Sequence, residues 1–129
     1  MEELDMISIK DGRRSLYQWD LDRFLVVDNP QVVEVQFHIS SKIDDLICEV
    51  MEKDGVRVAP IPNIILQKSG RFRVYACGVG YTIEEQLFEI KARNKPKDYE
   101  YSETEVLKDR VAELVDLYFS ENNFVMDAN

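Results

Sequence analysis

Side chains able to do covalent or proton-transfer chemistry are sparse in this sequence. His38 is the only imidazole, and Cys48 and Cys77 are the only thiols, in 129 residues. A histidine acting as general base needs a carboxylate or a nucleophile within hydrogen-bond reach, and spacing along the chain indicates neither. His38 falls on the solvent side of a predicted strand and reads as a surface residue. One histidine and two distant cysteines make no zinc-ligand spacing. Both cysteines lie in predicted strands and read as buried, reduced thiols. Gly78-Val79-Gly80 lacks the third glycine and the following helix of a dinucleotide loop, so it reads as a hairpin turn. No glycine loop runs into Gly-Lys-Ser/Thr. The acidic pairs Asp44-Asp45 and Glu84-Glu85 lack the alternation of a calcium loop and read as solvated charges. No catalytic, cofactor-binding or metal-ligating residue is predicted, and the expected function is non-enzymatic.

The elements that would carry any site are strands. From Val32 to Ile39, residues Val33, Val35, Phe37 and Ile39 take one side and Glu34, Gln36, His38 and Ser40 the other. That period of two marks a strand with one buried face. Met6–Lys10 reads as a short edge strand and Phe24–Val27 as an apolar strand ending at the Asp28-Asn29-Pro30 turn. In Leu16–Leu21, alternation places Tyr17, Trp19 and Leu21 on one face. The only tryptophan is expected in the core with a partner for its indole N–H, the alternative being a Tyr/Trp contact patch. Residues 46 to 59 read as a β-hairpin around Lys53-Asp54-Gly55.

Pro60-Ile61-Pro62-Asn63 lacks two ladder donors and reads as a crossing between sheets. Phe72, Val74 and Ala76 alternate with Arg71, Arg73 and Tyr75. In the last strand, Gln86 to Arg93, Phe88, Ile90 and Ala92 point inward and Leu87 breaks the pattern on the outer face. Short strands punctuated by Gly, Pro and Asx turns predict a mainly β fold, an immunoglobulin-like (Ig-like) antiparallel β-sandwich over residues 1–93.

Asn94-Lys95-Pro96-Lys97-Asp98 opens a polar linker over 94–101. Ser102 and Glu105 have the spacing of a capping box. Leu107, Val111, Leu114 and Tyr118 then define one apolar stripe of an amphipathic helix over 102–120, followed by a tail, 121–129. The stripe either folds back on the sandwich or packs against a partner or another copy of the chain.

The formal net charge is −9, from 16 basic and 25 acidic residues, which repels nucleic-acid phosphates and an anionic membrane surface alike. No apolar run reaches the roughly 20 residues of a membrane span. The acidic start, Met-Glu-Glu-Leu-Asp, is unlike a signal peptide, so synthesis in the cytoplasm is expected.

Three blocks in order carry a resemblance: Leu16-Tyr17-Gln18-Trp19-Asp20; Ile61-Pro62-Asn63-Ile64-Ile65-Leu66-Gln67; and Lys95-Pro96-Lys97-Asp98-Tyr99-Glu100-Tyr101-Ser102-Glu103-Thr104-Glu105-Val106. Together they resemble the N-terminal module of structural proteins encoded by phages and prophages of Gram-positive bacteria, similar to the N-terminal domain of baseplate upper proteins and related fibre proteins. The resemblance implies a β-sandwich that anchors a virion appendage, a helix that trimerises or links to a fibre, other virion proteins as partners, and location in the virion. It implies no cofactor and no enzymatic activity. The sequence closes soon after the helix, so the expectation is an adaptor, decoration or connector role rather than receptor binding. A carbohydrate-binding β-sandwich is the alternative, with Tyr17, Trp19, Tyr75 and Tyr81 as its platform.

Overall fold

The computed structural model of the chain describes residues 7–9 (as backbone), 15–38, 45–104, 107, 108, 111 and 112. Nine strands form two sheets: β1 Ile7–Ile9, β2 Leu16–Tyr17, β3 Phe24–Val27, β4 Glu34–His38, β5 Leu46–Glu49, β6 Met51–Lys53, β7 Val56–Pro60, β8 Gly70–Gly78 and β9 Tyr81–Lys91. The first sheet has the order β1-β3-β7-β6 and the second β2-β9-β8-β4-β5. The architecture is mainly β and sandwich-like. All pairings are antiparallel except β2 with β9, which is parallel, Leu16 facing Ile90 and Tyr17 facing Lys91. A parallel pair cannot be closed by a tight turn. Here the connection is the whole intervening chain, so the strictly antiparallel sandwich expected from sequence is corrected at this edge.

The core is set by the strands with the clearest alternation. Val35 and Phe37 of β4, Leu46 and Cys48 of β5, and Phe72, Val74 and Ala76 of β8 point inward together. Phe37 stacks on Phe72 and Phe72 on Phe88, with ring centroids 6.3 and 5.7 Å apart. From the first sheet come Leu25, Val27 and Ala59. Each of the Val, Leu and Phe side chains among them contributes about 1.5–3 kcal/mol of hydrophobic stabilisation when fully withdrawn from water. Leu87 is exposed on the outer face of β9, as its position implies, whereas Ala92 lies beyond the strand and is exposed rather than inward.

Three expectations change at points where the chain bends. Val33 is 40% exposed while Val32 is fully buried. An Asx turn explains the shift: Gln31 N donates to Asn29 Oδ1, Val32 N donates to Asn29 O, and Arg57 holds the carbonyls of Asn29 and Val32. The ladder pairing of β4 begins only at Glu34. The hairpin is Met51–Pro60, not 46–59, because the chain changes sheets around Val50; β5 pairs with β4, and β6 pairs with β7. The hairpin's turn uses Asp54 and Gly55, with φ of 56° and 78°, the left-handed pair that suits a two-residue connection. Residues 58 to 67 are buried without a break, and the crossing expected from Pro60 begins one residue later. Pro60 itself ends β7, opposite Phe24.

The helix expected over 102–120 lies for most of its length outside the described residues, as do Glu105, Leu114, Tyr118, the tail 121–129 and Ile39. Within them, Leu107 N donates to Thr104 O and Val111 N to Leu107 O.

Candidate functional site

The edge of the second sheet, where β2 meets β9, gathers three segments far apart in sequence: 16–23, 61–67 and 91–104. The gathering begins with a buried polar residue, because such a side chain must find partners for every donor and acceptor. Asn63 has 0% exposure. Its Nδ2 donates to Asp22 Oδ1 at 3.2 Å and to Ser102 O at 2.7 Å, and its Oδ1 accepts from Asp22 N at 2.8 Å. Its own N–H and that of Ile64 donate to the two carboxylate oxygens of Glu103, each at 2.8 Å.

These N–H groups open the 3-10 turn Ile65–Gln67, for which Ile64 provides no side-chain cap. Glu103 therefore caps the turn from some 40 residues away, with a carboxylate where partial positive charge collects. Tyr101 OH donates to Glu103 Oε2 at 2.7 Å. Burial pushes the Glu103 carboxyl above the usual carboxylate range, and Asp22 adds to the rise. The hydrogen bonds from Tyr101, Asn63 and Ile64 oppose it. Tyr101 moves upward too, first through burial and then through its hydrogen bond to Glu103.

A second layer ties the loop after β2 to the same segments. Gln18 N donates to Lys91 O, Gln18 Nε2 to Gln67 O, and Trp19 N to Leu66 O. Gln67 Nε2 donates to Tyr99 OH at 3.0 Å. The loop is also closed internally: Tyr17 N and Arg23 Nη1 both donate to Asp20 Oδ2. These bonds hold Trp19 and Asp22 at φ of 74° and 58°. The left-handed region is sterically costly for a bulky residue, of order 1–3 kcal/mol, and persists only where surroundings over-determine it.

That backbone overturns the expectation for the aromatic residues. Leu16, not Tyr17, is the buried member of β2; Tyr17 is 40% exposed, Leu21 is exposed, and Trp19 is only partly buried. The inward face of β2 is that of Leu16, the opposite of the face assigned from sequence, and the strand ends at Tyr17, before a turn at Gln18-Trp19. Trp19 packs edge-on against Tyr99, ring centroids 5.1 Å apart at 69°. The Lys95 ammonium lies 5.1 Å from the Trp19 centroid and 5.7 Å from that of Tyr99, and the Lys91 ammonium lies 5.8 Å from Tyr17. The result is a surface of three aromatic rings overlaid by two cations.

The other residues singled out by sequence fall elsewhere. Tyr75 sits opposite Glu85 of β9 while Tyr17 sits opposite Lys91, six residues along, or about 20 Å at about 3.3 Å per residue. Tyr81 is farther still, at the start of β9. The four aromatics proposed as one carbohydrate platform are therefore not brought together. Leu107 and Val111, 1% and 3% exposed, belong to the sandwich core. For these two stripe positions, folding back is what the chain does, and they are not available as an outward interface.

Cys48 and Cys77 are free and lie on the strands flanking β4. Burial pushes the Cys77 thiol up. His38 does have a carboxylate neighbour that spacing did not indicate, Asp45 Oδ1 at 2.9 Å from Nδ1. Among the described residues no group of three His, Cys, Asp or Glu side chains converges as a metal site.

Comparison with protein-family models, with curated proteins and with solved structures returned no match.

Proposed function

We propose that this chain is a non-enzymatic structural protein of a phage virion, an adaptor or attachment module that binds other virion proteins through its sandwich and the segment after residue 94. The observation that carries the reading is the convergence of the three resembling blocks on one locus. Each supplies a part: the first the strained loop and Trp19, the second Asn63 and the turn, the third Glu103, Tyr99 and Lys95. An arrangement that fixes the exit of the chain from the sandwich is what an appendage anchor requires, since the geometry of whatever follows depends on it. An immunoglobulin-like topology, a helix continuing over 102–120, assembly as a homo-oligomer such as a trimer, and residence in the virion after synthesis in the host cytoplasm belong to the same proposal. No cofactor, nucleic acid or membrane enters it.

Mass spectrometry of purified virions from the source phage tests it. Recovery of this chain in stoichiometric amount with other structural proteins is expected, and its absence from the particles would overturn the reading.

The partly exposed Trp19–Tyr99 pair favours one second reading, a carbohydrate-binding module. A glycan array discriminates: saturable binding to a defined glycan, abolished by Trp19→Ala, would favour it over attachment to virion proteins.

A further inference from the structure

The stretch 91–97, Lys-Ala-Arg-Asn-Lys-Pro-Lys, carries four cations and no anion, so the −9 of the whole chain is −13 outside it. Lys91, Arg93, Lys95 and Lys97 occupy alternate positions and all four are exposed. Among the described residues none of them forms an ion pair. On a chain with so many carboxylates, this concentration of unpaired positive charge is the exception. It coincides with the aromatic cluster, because Lys91 and Lys95 are the cations lying over Tyr17, Trp19 and Tyr99. A third, independent observation is the positive φ of Trp19, which holds a bulky ring at the surface against its backbone preference.

We infer that this edge is a docking surface for an acidic segment of a partner protein, with Trp19 and Tyr99 as the apolar anchor and Lys91, Arg93, Lys95 and Lys97 as carboxylate receptors. The inference rests on the attachment reading and deepens it by naming the surface and the chemistry of what it receives. Charge complementarity selects the occupant. A nucleic acid brings a dense phosphate charge that the −13 of the remaining chain repels, whereas a short acidic peptide meets only the local strip. The ring faces that would stack on bases or sugars are overlaid by ammonium groups, which carboxylates can engage without displacing them. Rigid aromatic residues ringed by charge are the usual anchors of protein interfaces. Asp98 and Glu100, just beyond the strip, limit its length and set where the acidic segment must stop.

The test is selection of displayed random 12-residue peptides on the intact chain, followed by fluorescence anisotropy of the enriched peptides at low and physiological salt. The expected pool is enriched at least threefold in Asp and Glu. Its members lose about tenfold in affinity against the Lys95→Glu/Lys97→Glu variant, and a similar factor on raising the salt. Circular dichroism establishes that the variant is folded, and Lys53→Glu/Lys68→Glu serves as the charge-matched control that keeps binding. Enrichment without acidic residues, affinity within twofold for the strip variant, no binding peptide at all, or equal binding of a 12-nucleotide single strand would each overturn the inference. Virion membership is read separately. A chain present in virions whose strip binds no acidic peptide sinks this inference alone, and a strip that binds while the chain is absent from virions sinks only the attachment reading.

Discussion

Removing the Glu103 carboxylate should loosen the junction between the sandwich and the segment that follows it. In Glu103→Ala the N–H groups of Asn63 and Ile64 lose their acceptors in a buried setting, and Tyr101 OH loses its own. An unsatisfied buried donor costs about 1–3 kcal/mol, and bonds to an ionised acceptor lie at the upper end. Against this stands the relief of no longer burying a carboxylate, a cost evident in its raised pKa. The net expectation is a loss of about 3 kcal/mol, or a fall in Tm of about 10 °C for a domain of this size. Glu103→Gln keeps one oxygen for one N–H and should lose about half as much.

The pH dependence has a definite sign. The Glu103 carboxyl is raised in the folded chain, so the folded state binds its proton more tightly than the unfolded state. Its contribution is fully present below the unfolded pKa and is lost as pH rises through the folded value. Urea unfolding followed by far-UV circular dichroism, at pH values from 4 to 8, gives both quantities. Relative to Glu103→Gln, the wild type should lose stability as pH rises through the window just above the ordinary carboxylate pKa. A Glu103→Ala variant within about 0.5 kcal/mol of wild type would refute the capping argument, and a wild type that gains on Glu103→Gln as pH rises would contradict the burial-raised carboxyl, its hydrogen bonds then outweighing its desolvation.

Three further outcomes follow from the same geometry. Asn63→Ala empties a fully buried position, takes their partner from Asp22 N and Ser102 O, and should cost about 2 kcal/mol by urea unfolding; a cost under about 0.5 kcal/mol would contradict the bonding described. Leu107→Ala opens a cavity in the core and should cost about 3 kcal/mol, independent of protein concentration; a loss seen only as dissociation of an oligomer would contradict core placement. Trp19 fluorescence should be quenched by acrylamide and more strongly by iodide than by caesium, because the Lys95 ammonium draws anions to the ring; Lys95→Glu should reverse the order, and an unquenchable tryptophan would return Trp19 to the interior.

What could be read from the sequence was local and periodic. The buried faces of β4, β5 and β8 follow from alternation that survives for a whole strand, and Phe88, Ile90 and the outward Leu87 follow for the same reason. Alternation misled at β2, where the inward face is that of Leu16 and not of Tyr17, and at Val33, where the Asx turn at Asn29 delays the strand. The hairpin was misplaced because nothing in Leu46–Met51 tells a strand that changes sheets from one that continues.

The junction itself was out of reach. Asn63 and Glu103 are 40 residues apart, and neither stands at a spacing that predicts the other. The one signal was indirect: a Pro-Asn pair inside a wholly apolar run, which demands an explanation for a polar residue in the interior. The capping box expected at Ser102 and Glu105 involves Glu105, outside the described residues; the neighbouring carboxylate Glu103 caps a different element, the turn Ile65–Gln67, through the N–H groups of Asn63 and Ile64.

The attachment proposal is tested most directly by a cryo-EM map of the intact particle from the source phage, at a resolution that traces side chains. Density for this chain is expected in the virion, with the Trp19–Tyr99–Lys95 edge seated against an acidic segment of a neighbouring protein. A complete particle map with every protein density assigned to other chains would contradict it.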